Sequence, residues 1–140
     1  YPGSMAERTQ KMCQLVVDEY GGVPERIWTT ADTGAELVKR LEAVPGFGKP
    51  KARIFTALLG KQLGCQPEGW REASAPYGAP DATMSVADIY DEASRNKVRD
   101  YKRAQKARAK AKAAKSSGAK AASTSKAVAS PKAKDKATKR

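Results

Sequence analysis

Histidine is absent from this 140-residue chain, and cysteine occurs only as Cys13 and Cys65. Without His the chain supplies neither an imidazole base nor an imidazole metal ligand. Two cysteines so far apart form no metal-binding spacing and demand no oxidising compartment. Aromatic residues make up 6% of the chain, so any core rests on a few rings and on aliphatic side chains. No apolar run approaches the roughly 18 residues that span a membrane, and no secretory leader is visible. These absences lead to the expectation of a cytoplasmic protein with no membrane contact and no metal or small-molecule cofactor. The chain opens on Tyr1 rather than Met, which is the expectation for the remainder of a longer protein.

Acidic residues are scarce in one region only. The net charge is +12, yet residues 1–101 hold 13 Lys/Arg against 14 Asp/Glu. Residues 102–140 hold 14 Lys/Arg against the single acid Asp135. The excess positive charge is therefore confined to a C-terminal segment rich in Lys and Ala. Such a segment attracts polyanions without sequence preference, and double-stranded DNA is the expected partner, with RNA or an anionic membrane behind it. Past Tyr101 the sequence offers no apolar face to pack, and like charges recur at helical spacing. Ser and Gly in residues 116–125, together with Pro131, also argue against one continuous helix. A disordered basic tail over 102–140 is expected, behind a body over 1–101.

The body reads as helices throughout. Ser4-Met5-Ala6-Glu7 and Thr33-Gly34-Ala35-Glu36 have the spacing of capping boxes. Met12, Leu15, Val16 and Tyr20 recur at helical intervals, and Gly21-Gly22 provides a stop. Pro24 suits the first turn of a short helix reaching Trp28. Leu37, Leu41 and Val44 place a helix over 34–43. Pro50 suits the start of the next helix, whose apolar side holds Ala52, Ile54, Phe55, Leu58, Leu59 and Leu63. Gly60 inside that helix costs about 1 kcal/mol relative to Ala, and close backbone packing is one reason to keep it. Residues 65–84, with Pro67, Pro76 and Pro80, read as loop. Ser85 starts a short turn, and Asp91 caps a last helix through Val98 and Tyr101. No segment alternates strictly enough for a half-buried strand.

Between the third and fourth helical stretches lies Leu41-Glu42-Ala43-Val44-Pro45-Gly46-Phe47-Gly48-Lys49-Pro50-Lys51-Ala52-Arg53-Ile54. Two glycines at the bends permit positive φ and let a phosphate approach backbone N–H groups. The helix that follows turns its positive end toward the same place. Phe47 is expected to point inward and lock the turn, and Lys49 and Lys51 add positive charge. Contacts of this kind position DNA without reading its sequence. Pro45, Gly46, Phe47, Gly48, Lys49 and Lys51 are the candidate DNA-binding residues here. Lys102, Arg103, Lys106 and Arg108 join them from the basic segment.

The run Val44, Pro45, Gly46, Phe47, Gly48 and Ala52 resembles the helix-hairpin-helix motif. Further segments occur in order: Tyr1–Ala6, Ala52–Phe55, Leu58–Gln62, Gly69–Ala73, Pro76–Gly78, Ser85–Asp88 and Val98–Lys102. Together they resemble the C-terminal half of an actinobacterial family of helix-hairpin-helix-GPD-type base excision DNA repair proteins. That resemblance covers about residues 1–105. It implies an all-α fold of the DNA-glycosylase type, DNA as partner, and a helical segment upstream of Tyr1. Glycosylases of this superfamily flip a base and cleave its glycosidic bond. They place an aspartate about 20 residues past the hairpin and, in bifunctional members, a nucleophilic lysine just past it. In this chain the lysine's place falls on Pro50, with Lys51 one position later. The aspartate's place falls on Glu68, or on Glu72 if the glycine after the second helix is aligned. These two glutamates are the candidate catalytic residues. The four cysteines of an iron–sulfur cluster are absent. Two functions remain open: a repair glycosylase or relative, and a non-catalytic DNA-coating protein of the nucleoid.

Overall fold

A computed structural model describes the backbone of residues 1–124 and the side chains through Lys115. Its helices are α1 (Pro2–Tyr20), α2 (Arg26–Thr29), α3 (Gly34–Ala43), α4 (Lys49–Gln62), α5 (Trp70–Ala73) and α6 (Glu92–Thr124), with a 3-10 turn at Val86–Asp88. Among the described residues there is no strand, only an isolated bridge between Thr33 and Glu68. The fold is all-α. The chain divides into a unit over Tyr1–Lys102 and a second over Arg103–Arg140.

Local chemistry explains most helix ends. Thr33 accepts from the Glu36 amide at 3.1 Å and starts α3 where its spacing predicts. Gly21 and Gly22 stop α1 with φ of 63° and 78°, values that L side chains adopt at a cost. Asp91 caps α6 by accepting from the Ser94 amide at 2.7 Å. The Ser94 hydroxyl, followed by that amide, holds the Asp91 carboxyl below its ordinary value. The expected box at Ser4 does not form. Helix α1 begins at Pro2, ahead of Ser4, whose hydroxyl donates to the Tyr1 carbonyl, while Glu7 pairs with Lys11. Proline in the first turn sets the start before Ser4 is reached.

The first unit's core gathers Ile27, Leu37, Leu41, Val44, Ala52 and Leu59. Met12, Val16 and Tyr20 of α1 pack on it while remaining half-buried, and α1 buries no residue fully. Arg40 fastens α2 to α3. Its guanidinium donates to the carbonyls of Arg26, Ile27 and Thr30, to the Thr30 hydroxyl and to Glu36. Glu36 also accepts from the Asp32 amide, and that bond, followed by Arg40, holds its carboxyl below the usual range.

Residues 65–84 are loop apart from α5, as expected, but Trp70, Ser74 and Gly78 within them are buried. Trp70 lies against two glycines. A Cβ on Gly60 would meet the indole at 2.4 Å, and one on Gly34 would meet the Trp70 backbone at 2.4 Å. The Gly34 amide also donates to the Glu68 carbonyl at 2.7 Å. Arg71 stacks on the same indole at 4.5 Å and donates to Gly78. The segment from α3 to α5 is thus closed by backbone approaching ring and backbone.

A second tie joins α4 to the 3-10 turn. Lys61 and Asp88 form an ion pair at 2.5 Å with side chains only 7% and 4% exposed. Asp88 also accepts from the amides of Met84 and Ser85, and Gln62 donates to the carbonyls of Val86, Ala87 and Ile89. No buried side-chain N or O among the described residues lacks a partner.

The expected end of helix at Tyr101 is corrected. Helix α6 continues to Thr124, through Ser116, Ser117 and Gly118. Alanine and lysine both rank high in intrinsic helix propensity, and the Asp91 cap together with buried Val98 starts the helix firmly. An apolar face is not required, since residues 102–115 are all exposed and helical. Residues 125–140, with Pro131 and the rest of the expected disordered tail, lie outside the described residues.

Two substitutions test these ties. Gly60→Ala should lower stability in urea by about 1–3 kcal/mol through overpacking on Trp70, although Ala favours helix by about 1 kcal/mol. A gain in stability would refute the close approach. Asp88→Ala should cost about 3–5 kcal/mol by stranding a buried ammonium. The double change Lys61→Met with Asp88→Asn should recover most of that loss, because Asn keeps an acceptor for the Met84 and Ser85 amides while the stranded charge is gone.

Candidate nucleic-acid interface

The hairpin between α3 and α4 is built from the inside outward. Val44 is buried, and its carbonyl accepts from the Phe47 amide at 2.9 Å, closing a tight turn around Pro45 and Gly46. Gly46 has a φ of 91°, in the region that glycine enters freely. Phe47 turns inward as expected, meeting Phe55 of α4 edge-on at 5.8 Å. Phe55 meets Trp28 in the same manner at 6.3 Å. A short aromatic ladder therefore anchors the turn to α2 and α4.

Gly48 departs from the expectation of positive φ. Its backbone is extended, with φ −106° and ψ 174°, and it is the N-cap of α4. Any residue adopts those angles, so they do not require glycine. A Cβ there would touch only Pro50 Cδ, at 3.9 Å. What glycine supplies at this position is open space above the helix start. The amides of Gly48, Lys49 and Lys51 find no acceptor among the described residues, as is general for the first turn of a helix.

Positive charge collects around this opening. Lys49 and Lys51 are exposed, and Lys51 Nζ donates to the Gly46 carbonyl at 3.0 Å, which holds it against the turn. Arg8 of α1 reaches the Gly46 side of the turn. It lines a recess of about 180 Å³ with Met5, Thr9, Pro45, Gly46, Phe47 and Lys51. Sequence reasoning missed Arg8 because it lies far from the hairpin along the chain and carries no motif. The packing of α1 on the core brings it there.

The two candidate catalytic glutamates stand elsewhere. Glu68 and Glu72 are exposed, and what joins them to the fold is their main-chain carbonyls, which accept from Gly34 and Ala75. Neither lines the hairpin recess. Neither lines a second, wider cleft of about 460 Å³ among Met12, Val16, Ile27, Trp28, Phe47 and Phe55. That cleft is walled almost wholly by apolar surface. Trp28 and Trp70 serve as packing residues. Lys102, Arg103, Lys106 and Arg108 are exposed along α6.

Cys13 is exposed, whereas burial pushes the Cys65 thiol up. Among the described residues no group of His, Cys, Asp and Glu is placed to hold a metal ion. No helix among them is long and apolar enough to cross a membrane.

The left-handed turn gives a direct test. Gly46→Ala should destabilise the fold by about 1–2 kcal/mol, the cost of placing an L side chain at positive φ. A thermal melt indistinguishable from the parent's would contradict that geometry. Comparison with protein-family models, with curated proteins and with solved structures yields no match.

Proposed function

We propose that this chain binds double-stranded DNA without sequence preference, holding phosphates at the Pro45–Lys51 hairpin and along its basic C-terminal segment. The observation that carries the reading is the hairpin itself. A glycine-opened helix start, with amides lacking acceptors, is flanked by Lys49 and Lys51, and Arg8 lies beside Gly46 in the same turn. Backbone donors and mobile cations around one open position suit a phosphodiester oxygen. The charge division supports the same partner, because residues 102–140 carry nearly all of the positive excess. The resemblance of residues 1–105 to the helix-hairpin-helix-GPD family, beyond the hairpin motif itself, supports the base excision repair type. A cytoplasmic, nucleoid-associated location accompanies it.

Within that reading, exposed Glu68 and Glu72 favour a protein that grips DNA over one that cleaves a glycosidic bond. Neither residue lines the hairpin recess or the apolar cleft. Base release from uracil-, oxidised- or alkylated-base duplexes, abolished by Glu68→Gln or Glu72→Gln, would overturn that preference.

Two binding measurements test the grip. Removing residues 103–140 should flatten the log–log salt dependence of duplex affinity, by roughly 0.9 for each phosphate no longer neutralised. An unchanged slope would refute the role of the basic segment. In the shortened protein, Gly48→Val should lower stability by no more than about 1 kcal/mol, the cost of an apolar N-cap, since its angles suit any residue and its surroundings are open. It should still weaken duplex binding about tenfold by blocking the phosphate's approach. Full affinity in that variant would eliminate the hairpin as a clamp.

A further inference from the structure

The second unit presents its cations in a definite arrangement, because its described part is helical. At about 100° per residue, Arg103, Lys106 and Lys110 fall in one row along α6. Arg108, Lys112 and Lys115 fall in another, about 170° around the helix from the first. Between the rows, along one side, run Ala104, Ala107, Ala111 and Ala114. Gln105, Ala109 and Ala113 occupy the other side. All of these residues are exposed.

Opposed cationic rows exclude several partners. A helix lying on an anionic membrane needs an apolar face opposite its basic one, and this helix has none. The major groove of A-form RNA is deep and too narrow for side chains to read, let alone a helix. The major groove of B-DNA is about 12 Å wide and bordered on both sides by phosphates. A helix with its side chains is about 10–12 Å across. Two cationic rows on opposite flanks match two phosphate walls, and the methyl-sized side chains between them allow close approach to the groove floor.

We infer that α6, over Arg103–Lys115, enters the major groove of B-form DNA as a helix, with one basic row on each phosphate wall. This rests on the DNA-binding reading above. It adds that the basic segment acts through its shape as well as its charge. Alanine methyls carry no hydrogen-bonding group, so the insertion is independent of sequence apart from contact with thymine methyls.

The experiment compares the full-length chain with two variants that keep every cation. Ala107→Pro breaks the helix between the rows, and Ala111→Phe fills the floor while remaining helical. Fluorescence of Trp28 and Trp70 reports whether the first unit stays folded. Binding is measured at several salt concentrations to DNA and RNA duplexes of about 20 base pairs, longer than the helix under test. The parent should favour DNA over RNA by about tenfold, since only the DNA groove admits the helix. Ala107→Pro should lose about tenfold on DNA by breaking the helix, and Ala111→Phe at least about threefold by lifting it off the floor. Neither change should alter binding to RNA. Equal affinity of the parent for the two duplexes, or parent-like DNA binding by Ala107→Pro, would overturn the inference. Absence of salt-dependent DNA binding by the parent would instead remove the DNA reading on which it rests.

Discussion

Trp70 seated against Gly34 and Gly60 is the contact on which the rest of the first unit depends. Gly34 opens α3 and Gly60 lies near the end of α4. These are the two helix regions remote, along the chain, from the hairpin that joins them. A hairpin of two helices held only at its turn is free to splay. The indole and its backbone close the other end, aided by the bond from the Gly34 amide to the Glu68 carbonyl. The aromatic ladder of Trp28, Phe55 and Phe47 then fixes the turn. An opening formed by backbone amides keeps its shape only if both ends are held, since amides do not swing as side chains do.

The hairpin divides its work between rigid and mobile parts. Gly46 and the buried side of Phe47 set the path of the chain, while Gly48 leaves room above α4. Lys49 and Lys51 supply charge on flexible stems, and Lys51 is steadied by the Gly46 carbonyl. Arg8 arrives from α1, which packs on the core through half-buried Met12, Val16 and Tyr20. The position of that arginine therefore depends on modest apolar contacts, whereas the amides depend on the core itself.

Much of this is legible in the sequence wherever the cause is local. The limits of α3, the stop at Gly21-Gly22 and the Asp91 cap follow from residues within a turn of one another, and the inward Phe47 from the motif around it. Gly60 points to close packing, though not to Trp70 as the neighbour. The sequence misleads where two local signals compete, as at Ser4, where Pro2 sets the helix start. It is silent where the cause is distant. Nothing in the order of residues couples Lys61 to Asp88, places Arg8 beside Gly46, or shows that a proline-rich stretch packs around an indole. Helix α6 outruns the expected end at Tyr101 because a helix does not require packing along its whole length. Alanine and lysine sustain it by propensity alone over many residues.

The seat of Trp70 also restricts how this chain can change over generations. While the indole remains, a methyl group at position 34 or 60 meets it or its backbone. Loss of the indole would free position 60 to accept a larger side chain, whereas position 34 would still meet the main chain of residues 69 and 70. Once position 60 had been filled, tryptophan could not return without a second, simultaneous reversion. Substitutions at two sites in contact are coupled in this way rather than additive. Lineages descended from such a loss would be separated from this one by a one-way step, and the pair of Gly60 and Trp70 would persist or disappear as a unit.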